Sequence, residues 1–210
     1  MAQTEQKNQN VNKQFEELQS LLERAMALQT SMVLFEWDDE TLAPKGAAEH
    51  TARVIGSLSE QYQEILASMR FKELLDACQK AEKENAGVFD EVQSAILREA
   101  AEEQERLSCI PPEEYRAYAE LTARATGIWT RAREKNDFAS FAPVLKEIIS
   151  YQKKFAAYRA KPGQKLYDVM LDTYEKGFNM EMLDPFFELM KGKIVPLLKE
   201  SAERSFPSRI

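Results

Sequence analysis

One histidine, His50, stands in 210 residues. That scarcity excludes several catalytic arrangements at once. The helical H-E-x-x-H site needs two histidines on one face. A catalytic zinc usually draws on three protein ligands rich in histidine. A serine or cysteine triad would depend on His50 alone. Cysteine is as sparse: Cys78 and Cys109 fit no C-x-x-C pattern and read as two buried thiols. Seven glycines and eight prolines leave few breakers, which favours long helices over many short strands. No G-x-G-x-x-G, G-x-x-x-x-G-K-[ST] or G-x-S-x-G occurs, so no phosphate cradle or nucleophile elbow is indicated. No run approaches the roughly 20 apolar residues of a membrane span. The polar start, MAQTEQKNQNVNK, lacks the apolar segment of a signal peptide. Positive charge is in deficit, with 28 Lys and Arg against 35 Asp and Glu, a net of -7. Without a basic face the chain is not expected to bind nucleic acid, and the acidic balance suits a soluble cytoplasmic protein.

What is present is helical periodicity. Hydrophobic residues make up 44% and charged residues 30%, the mix of a folded protein. Phe15, Leu18, Leu22, Ala25 and Met26 keep the three-and-four spacing of one apolar face, in a helix predicted to end near Trp37. After a break at Pro44–Gly46 the pattern resumes through Ile55, Leu58, Tyr62, Ile65 and Met69, then in a short helix through Phe71, Leu74 and Leu75. A turn at 84–87 precedes a helix carrying Val92, Ile96 and Leu97, whose run REAAEEQERL reads as a solvent-facing, ion-paired face. Pro112 suits a helix start, and Ser140 is a candidate cap for the helix bearing Phe141 to Phe155. LYDVMLDTYE reads as a short helix, and the last, roughly 181–203, carries Phe186, Phe187 and Ile194, with a kink expected at Pro196. No segment alternates at period two. The fold class is all-α, a multi-helix array of about seven helices. Residues 1–12 are expected to be a flexible N-terminus and 13–210 one helical region.

The best candidate for chemistry is the stretch MVLFEWDDETLAPKGAAEH, residues 32–50, with three successive acids before the histidine. The Glu-x-x-His pair of di-iron bundles needs an acid where Ala47 stands. No D-x-D-x-D-G loop is present, and nothing selects a carboxylate pair from the many acids. His50 falls in the first turns of a helix, with Glu49 suited to that positive end and Arg53 four residues on. It reads as a polar helix residue, and the acids as a solvated turn.

Three stretches in order resemble one family, the Taq-type (thermostable) metallocarboxypeptidases. In FEWDDETLAPKG the similarity rests on Trp37, Asp38, Glu40, Thr41, Pro44 and Gly46, with Leu42-Ala43 departing from the family's usual methionine-proline context. In GIWTRAREKNDFASFAPVL it rests on Trp129, Ala132, Arg133, Asn136, Asp137, Phe138, Phe141, Pro143 and Leu145. In LYDVMLDTYEKG it rests on Tyr167, Asp168, Leu171, Asp172, Tyr174, Glu175 and Gly177, with Pro196 further on. These positions read as structural, and no catalytic or metal-binding residue is carried over.

The resemblance implies the N-terminal helical half of a larger, mostly helical metallopeptidase that removes C-terminal residues from peptides. In full-length relatives it implies zinc or cobalt, held by an H-E-x-x-H and a downstream glutamate in the other half. This chain would need no cofactor of its own and would be inactive alone, as a truncated or split enzyme. Its expected partners are the C-terminal half, a full-length family member or a second copy in a homodimer, with peptide substrate bound only on completion. The alternative is a non-catalytic helical module that pairs with a full-length relative. Either way, apolar faces made to meet the other half should be exposed, foremost around Phe186, Phe187 and Ile194.

Overall fold

A 40-residue stretch without glycine or proline opens the chain, and it forms one helix, α1 (Ala2–Thr41). In the computed structural model, residues 2–44 and 46–203 are described, with side chains from residue 9. The polar start expected to be flexible lies within α1, and Val11 already belongs to the core. Glutamine, lysine and glutamate are good helix formers, so polarity at this end does not oppose helix.

The remaining helices are α2 (Ala48–Ala67), α3 (Met69–Glu84), α4 (Glu91–Ser108), α5 (Pro112–Glu134), α6 (Phe138–Arg159), α7 (Leu166–Leu171) and α8 (Met180–Glu203). That makes eight helices and no strand among the described residues, one more helix than the periodicity suggested. The difference from expectation lies mainly at ends. α3 is a full 16-residue helix, because Ser68 in extended conformation breaks the chain and its Oγ accepts from Phe71 N–H at 3.1 Å. α4 starts on a reciprocal cap: Asp90 accepts from Gln93 N–H, and the Gln93 side chain accepts from Asp90 N–H. Pro112 opens α5 as expected. The helix predicted over LYDVMLDTYE stops at Leu171 and continues as turns.

The chain divides into two compact units, Met1–Tyr151 and Gln152–Ile210. In the first, α2 is central and packs against α1, α3, α4 and α5. Leu18, Leu66, Phe71, Leu74, Cys78, Leu97 and Leu107 are fully buried there. Burial pushes the Cys78 thiol up to about 11, so it is an apolar filler rather than a reactive group. Met26, Met69 and Val92, placed on apolar faces by periodicity, are instead exposed.

Polar groups stitch the same core. Gln63 is fully buried, and its Nε2 donates to the carbonyls of Leu107 at 3.1 Å and Ile110 at 2.5 Å. Both carbonyls lie where α4 ends; Leu107 O also accepts from Ile110 N–H at 3.1 Å, and for Ile110 O the donor comes from α2. The charged run of α4 is not wholly solvent-facing: Glu103 accepts from the Tyr62 hydroxyl at 2.9 Å and pairs with Arg106. Burial, together with the Glu103 charge, raises the Tyr62 pKa. Where α2 meets α5, Gly56 leaves room for Glu120; a Cβ there would overlap Glu120 Cγ. Arg116 spans the same contact, reaching Glu60 at 2.9 Å and Glu120 at 3.0 Å.

Candidate functional site

The elbow between α1 and α2 is closed by backbone bonds on both sides. Asp38 O accepts from Leu42 N–H at 2.9 Å and Ala43 N–H at 2.8 Å, and Thr41 Oγ1 donates to Trp37 O at 2.6 Å. Beyond Pro44, whose carbonyl accepts from Ala47 N–H at 2.8 Å, the carbonyl of Ala47 accepts from His50 and Thr51. Trp37, Glu40, Pro44, Gly46 and His50 are exposed, and Asp38 is half-buried.

Beside the elbow lies a shallow cleft of about 220 Å³ between α1, α2 and α5. Glu36, Asp39 and Glu40 form its acidic side, and Thr51, Thr122 and Thr126 bring hydroxyls. Partial burial, and then the charge of Glu40, raise the Glu36 carboxyl above its ordinary range. The acids stand at the negative end of α1, which has no basic residue in its last turn, so the helix dipole works against them. Of the motif residues only Glu40 lines this cleft; Glu36, Thr51, Thr122 and Thr126 went unnoticed in the sequence. The signal that could have found the last two is their i, i+4 spacing on one face of α5.

The second motif builds the corner between α5 and α6. Asn136 takes a left-handed conformation (φ 51°). Asp137 N–H then donates to Ala132 O at 2.8 Å and Asn136 N–H to Arg133 O at 3.1 Å, the pair of bonds that ends a helix with a Schellman turn. Asp137 also caps α6: its Oδ1 accepts from Ser140 N–H at 3.3 Å and its Oδ2 from the Ser140 hydroxyl at 2.8 Å. The cap is therefore Asp137 rather than Ser140, and the helix begins earlier, at Phe138. Those bonds from Ser140 hold the Asp137 carboxyl below the usual range. Arg133 lies over the Trp129 ring, 5.1 Å from its centroid, and both are exposed, as is Phe138.

The third motif, in the second unit, sets the start of α8. Asp168 Oδ1 accepts from Met180 N–H at 2.9 Å, and Asn179 Oδ1 accepts from Met182 N–H at 3.0 Å. Asp172 Oδ1 accepts from the N–H of Gly177, whose φ of +80° favours glycine. Tyr167, Tyr174 and Glu175 are exposed, Tyr174 to 84%. Each motif thus organises a helix junction.

A catalytic zinc or cobalt ion needs several nitrogen or oxygen donors converging on one point. Among the described residues no group of three or more His, Cys, Asp or Glu is placed to hold a metal ion. The elbow acids and His50 therefore do not fit such a metal, and no step is assigned to one here. No helix among the described residues is long and apolar enough to cross a membrane.

The fold and the junction motifs define a class, an all-helical array whose shared positions lie at its helix corners. The family profile for "Carboxypeptidase Taq (M32) metallopeptidase" matches residues 17–209, and the chain belongs to that family. It is 34% identical to carboxypeptidase 1 of Bacillus subtilis (strain 168) over 180 residues, covering 86% of this chain and 35% of the relative. It is 29% identical to thermostable carboxypeptidase 1 of Pyrococcus furiosus over 192 residues, covering 91% of this chain and 37% of the relative. Among solved structures, the BsuCP crystal structure superposes with a TM-score of 0.85 at 32% identity, over 91% of this chain and 37% of that one. Metallocarboxypeptidase 1 of Trypanosoma cruzi shares the fold, with a TM-score of 0.72 at 24% identity, over 94% and 40%. The chain spans little more than a third of the length of the curated relatives it matches.

Proposed function

We propose that this chain is the N-terminal helical portion of a metal-dependent carboxypeptidase and acts only with the portion that carries the metal ligands. The observation that carries the reading is the span of the match. It covers nearly all of this chain but little more than a third of each relative, and no metal-donor group is assembled among the described residues. The resident metal of a complete enzyme would activate water and polarise the scissile carbonyl. This chain supplies scaffold: three hydrogen-bonded helix junctions and the wall of an acidic cleft. Zinc or cobalt is the expected metal of the completed enzyme, the C-terminal residue of a peptide its substrate, and the cytoplasm its setting.

The test is peptide hydrolysis with zinc or cobalt present. The chain alone should release no C-terminal residue above background. Together with the remaining portion of a family member it should release them, and a chelator should abolish that. Metal-dependent hydrolysis by the chain alone would overturn the reading.

A further inference from the structure

The elbow cleft gathers negative charge and holds nothing to balance it. Glu36, Asp39 and Glu40 reach it from one face of α1, and no lysine, arginine or histidine lines it. The negative end of α1 adds to the same sign. A row of solvated acids would account for that much. It does not account for the opposite wall.

Thr51, on α2, lines that wall and is only 9% exposed. A buried hydroxyl is ordinarily hydrogen-bonded. The usual partner on these helices is the carbonyl one turn back: Thr41 donates to Trp37 O, Thr122 to Tyr118 O and Thr130 to Thr126 O. Thr51 has no such bond, because Ala47 O already accepts the N–H groups of His50 and Thr51. Among the described residues the Thr51 hydroxyl has no hydrogen-bond partner, although it is buried against the cleft. Its lone pairs are therefore left for a donor inside the cleft. The acids register the same need. Burial, and then the charge of Glu40, raises the Glu36 carboxyl, and a cation beside the pair would reverse the second effect.

The kind of cation follows from the acceptors. Among the described residues no three acids, histidines or cysteines are placed to share one metal ion. Acceptors that do not converge on a point suit a larger cation that reaches them through its own N–H groups. An ammonium spreads three donors tetrahedrally, whereas a guanidinium is a flat fork matched to one carboxylate. The floor between the acceptors is apolar, made by Ala52 and Ile55 of α2 and Ala123 of α5. Its volume of about 220 Å³ exceeds the roughly 150 Å³ that takes up benzene, so an aliphatic chain of about four or five carbons fits behind the ammonium. We propose that the elbow cleft binds a primary alkylammonium ion, the charged end of a free aliphatic amine or of a lysine side chain, held by Glu36, Glu40 and the Thr51 hydroxyl.

Isothermal titration of the full chain at constant ionic strength tests this, with pentylamine, cadaverine, Nα-acetyl-lysine methylamide, pentanol and calcium as probes. The amines should bind with a Kd of about 1 mM or tighter, and pentanol and calcium at least about tenfold more weakly. Glu36→Gln, Glu40→Gln and Thr51→Val should each weaken amine binding about tenfold with the helical circular dichroism unchanged. Thr51→Ser, which keeps the hydroxyl, should bind as the parent does. So should Glu49→Gln, the same change of charge on an exposed residue outside the cleft. Tighter binding of cadaverine assigns a free amine, and tighter binding of the acetyl-lysine probe assigns a lysine side chain. Absence of amine binding overturns the proposal. So does equal binding of pentanol, or calcium as the stronger ligand. A loss in Glu49→Gln as large as in Glu36→Gln would mean diffuse attraction and no site. Thr51→Val without effect would likewise sink it.

Discussion

Helices α3 and α8 are written in the same local code. Each has large apolar side chains at three-and-four spacing and a side-chain cap at its start, from Ser68 in one and from Asn179 with Asp168 in the other. In α3 the apolar positions Phe71, Leu74, Leu75, Cys78 and Ala81 are all buried. In α8 none is. A cap and a periodicity decide that a helix forms and which side is apolar; they do not decide whether anything covers that side. The contrast separates what a chain encodes by itself from what it leaves for further structure to complete.

The largest test of that contrast is a matched truncation. Phe71→Ala should cost about 4 kcal/mol of unfolding free energy, since a fully buried ring leaves a cavity. Phe186→Ala in the free chain should cost less than about 0.5 kcal/mol. Urea unfolding of both variants gives the comparison, and equal losses would mean that α8 is already covered in solution. Next comes the buried amide. Gln63→Ala should cost about 2 kcal/mol, because it removes two buried hydrogen bonds where α4 ends and leaves Ile110 O without its donor. The loss should appear as faster hydrogen exchange at the last turn of α4. Asp168→Ala should cost about 1 kcal/mol of helix stability and show mainly as faster exchange in the first turn of α8, which has no packing to hold it. A rise confined to the first unit would contradict the assignment.

The smallest effect concerns charge at the elbow. The Glu36 pKa is raised in the folded chain, so the native state holds this proton more tightly than the unfolded state does. The associated stability is present below the unfolded pKa and is lost as pH rises through the folded one. Glu36→Gln should therefore raise the melting temperature by about 1 °C at pH 7 and change nothing near pH 3, where the carboxyl is already neutral. A gain equal at both values would point to packing instead of charge.

Much of the helical plan was legible, because periodicity, prolines and caps are local. The start at Pro112 and the break at Pro44 follow from residues within a turn of the event. What escaped was tertiary. Gln63 lies two residues before Ile65 on α2 and reads as an ordinary polar position; only the fold brings it to the end of α4. Val92 keeps the four-residue spacing to Ile96 yet faces solvent. The sequence offered Ser140 as the cap, but the left-handed Asn136 ends α5 so that Asp137, three residues before Ser140, caps α6. Two of the three cleft threonines, Thr122 and Thr126, sit on α5, far in sequence from the acids of the cleft, so no window on the sequence joins them. The family motifs lie at helix corners, where Asp137, Asp168 and Asp172 accept the hydrogen bonds that turn the chain.

Gly56 sets a dimension. At this position α2 contributes no side chain, and the Glu120 side chain of α5 lies in the space a Cβ would take. The same two helices form facing walls of the elbow cleft, through Ala52 and Ile55 on one side and Thr122 and Thr126 on the other. A methyl group added at residue 56 would have to displace the Glu120 side chain, and with it the Arg116 pair that ties α5 to Glu60 of α2, so the missing atom protects an ion pair beside the cleft.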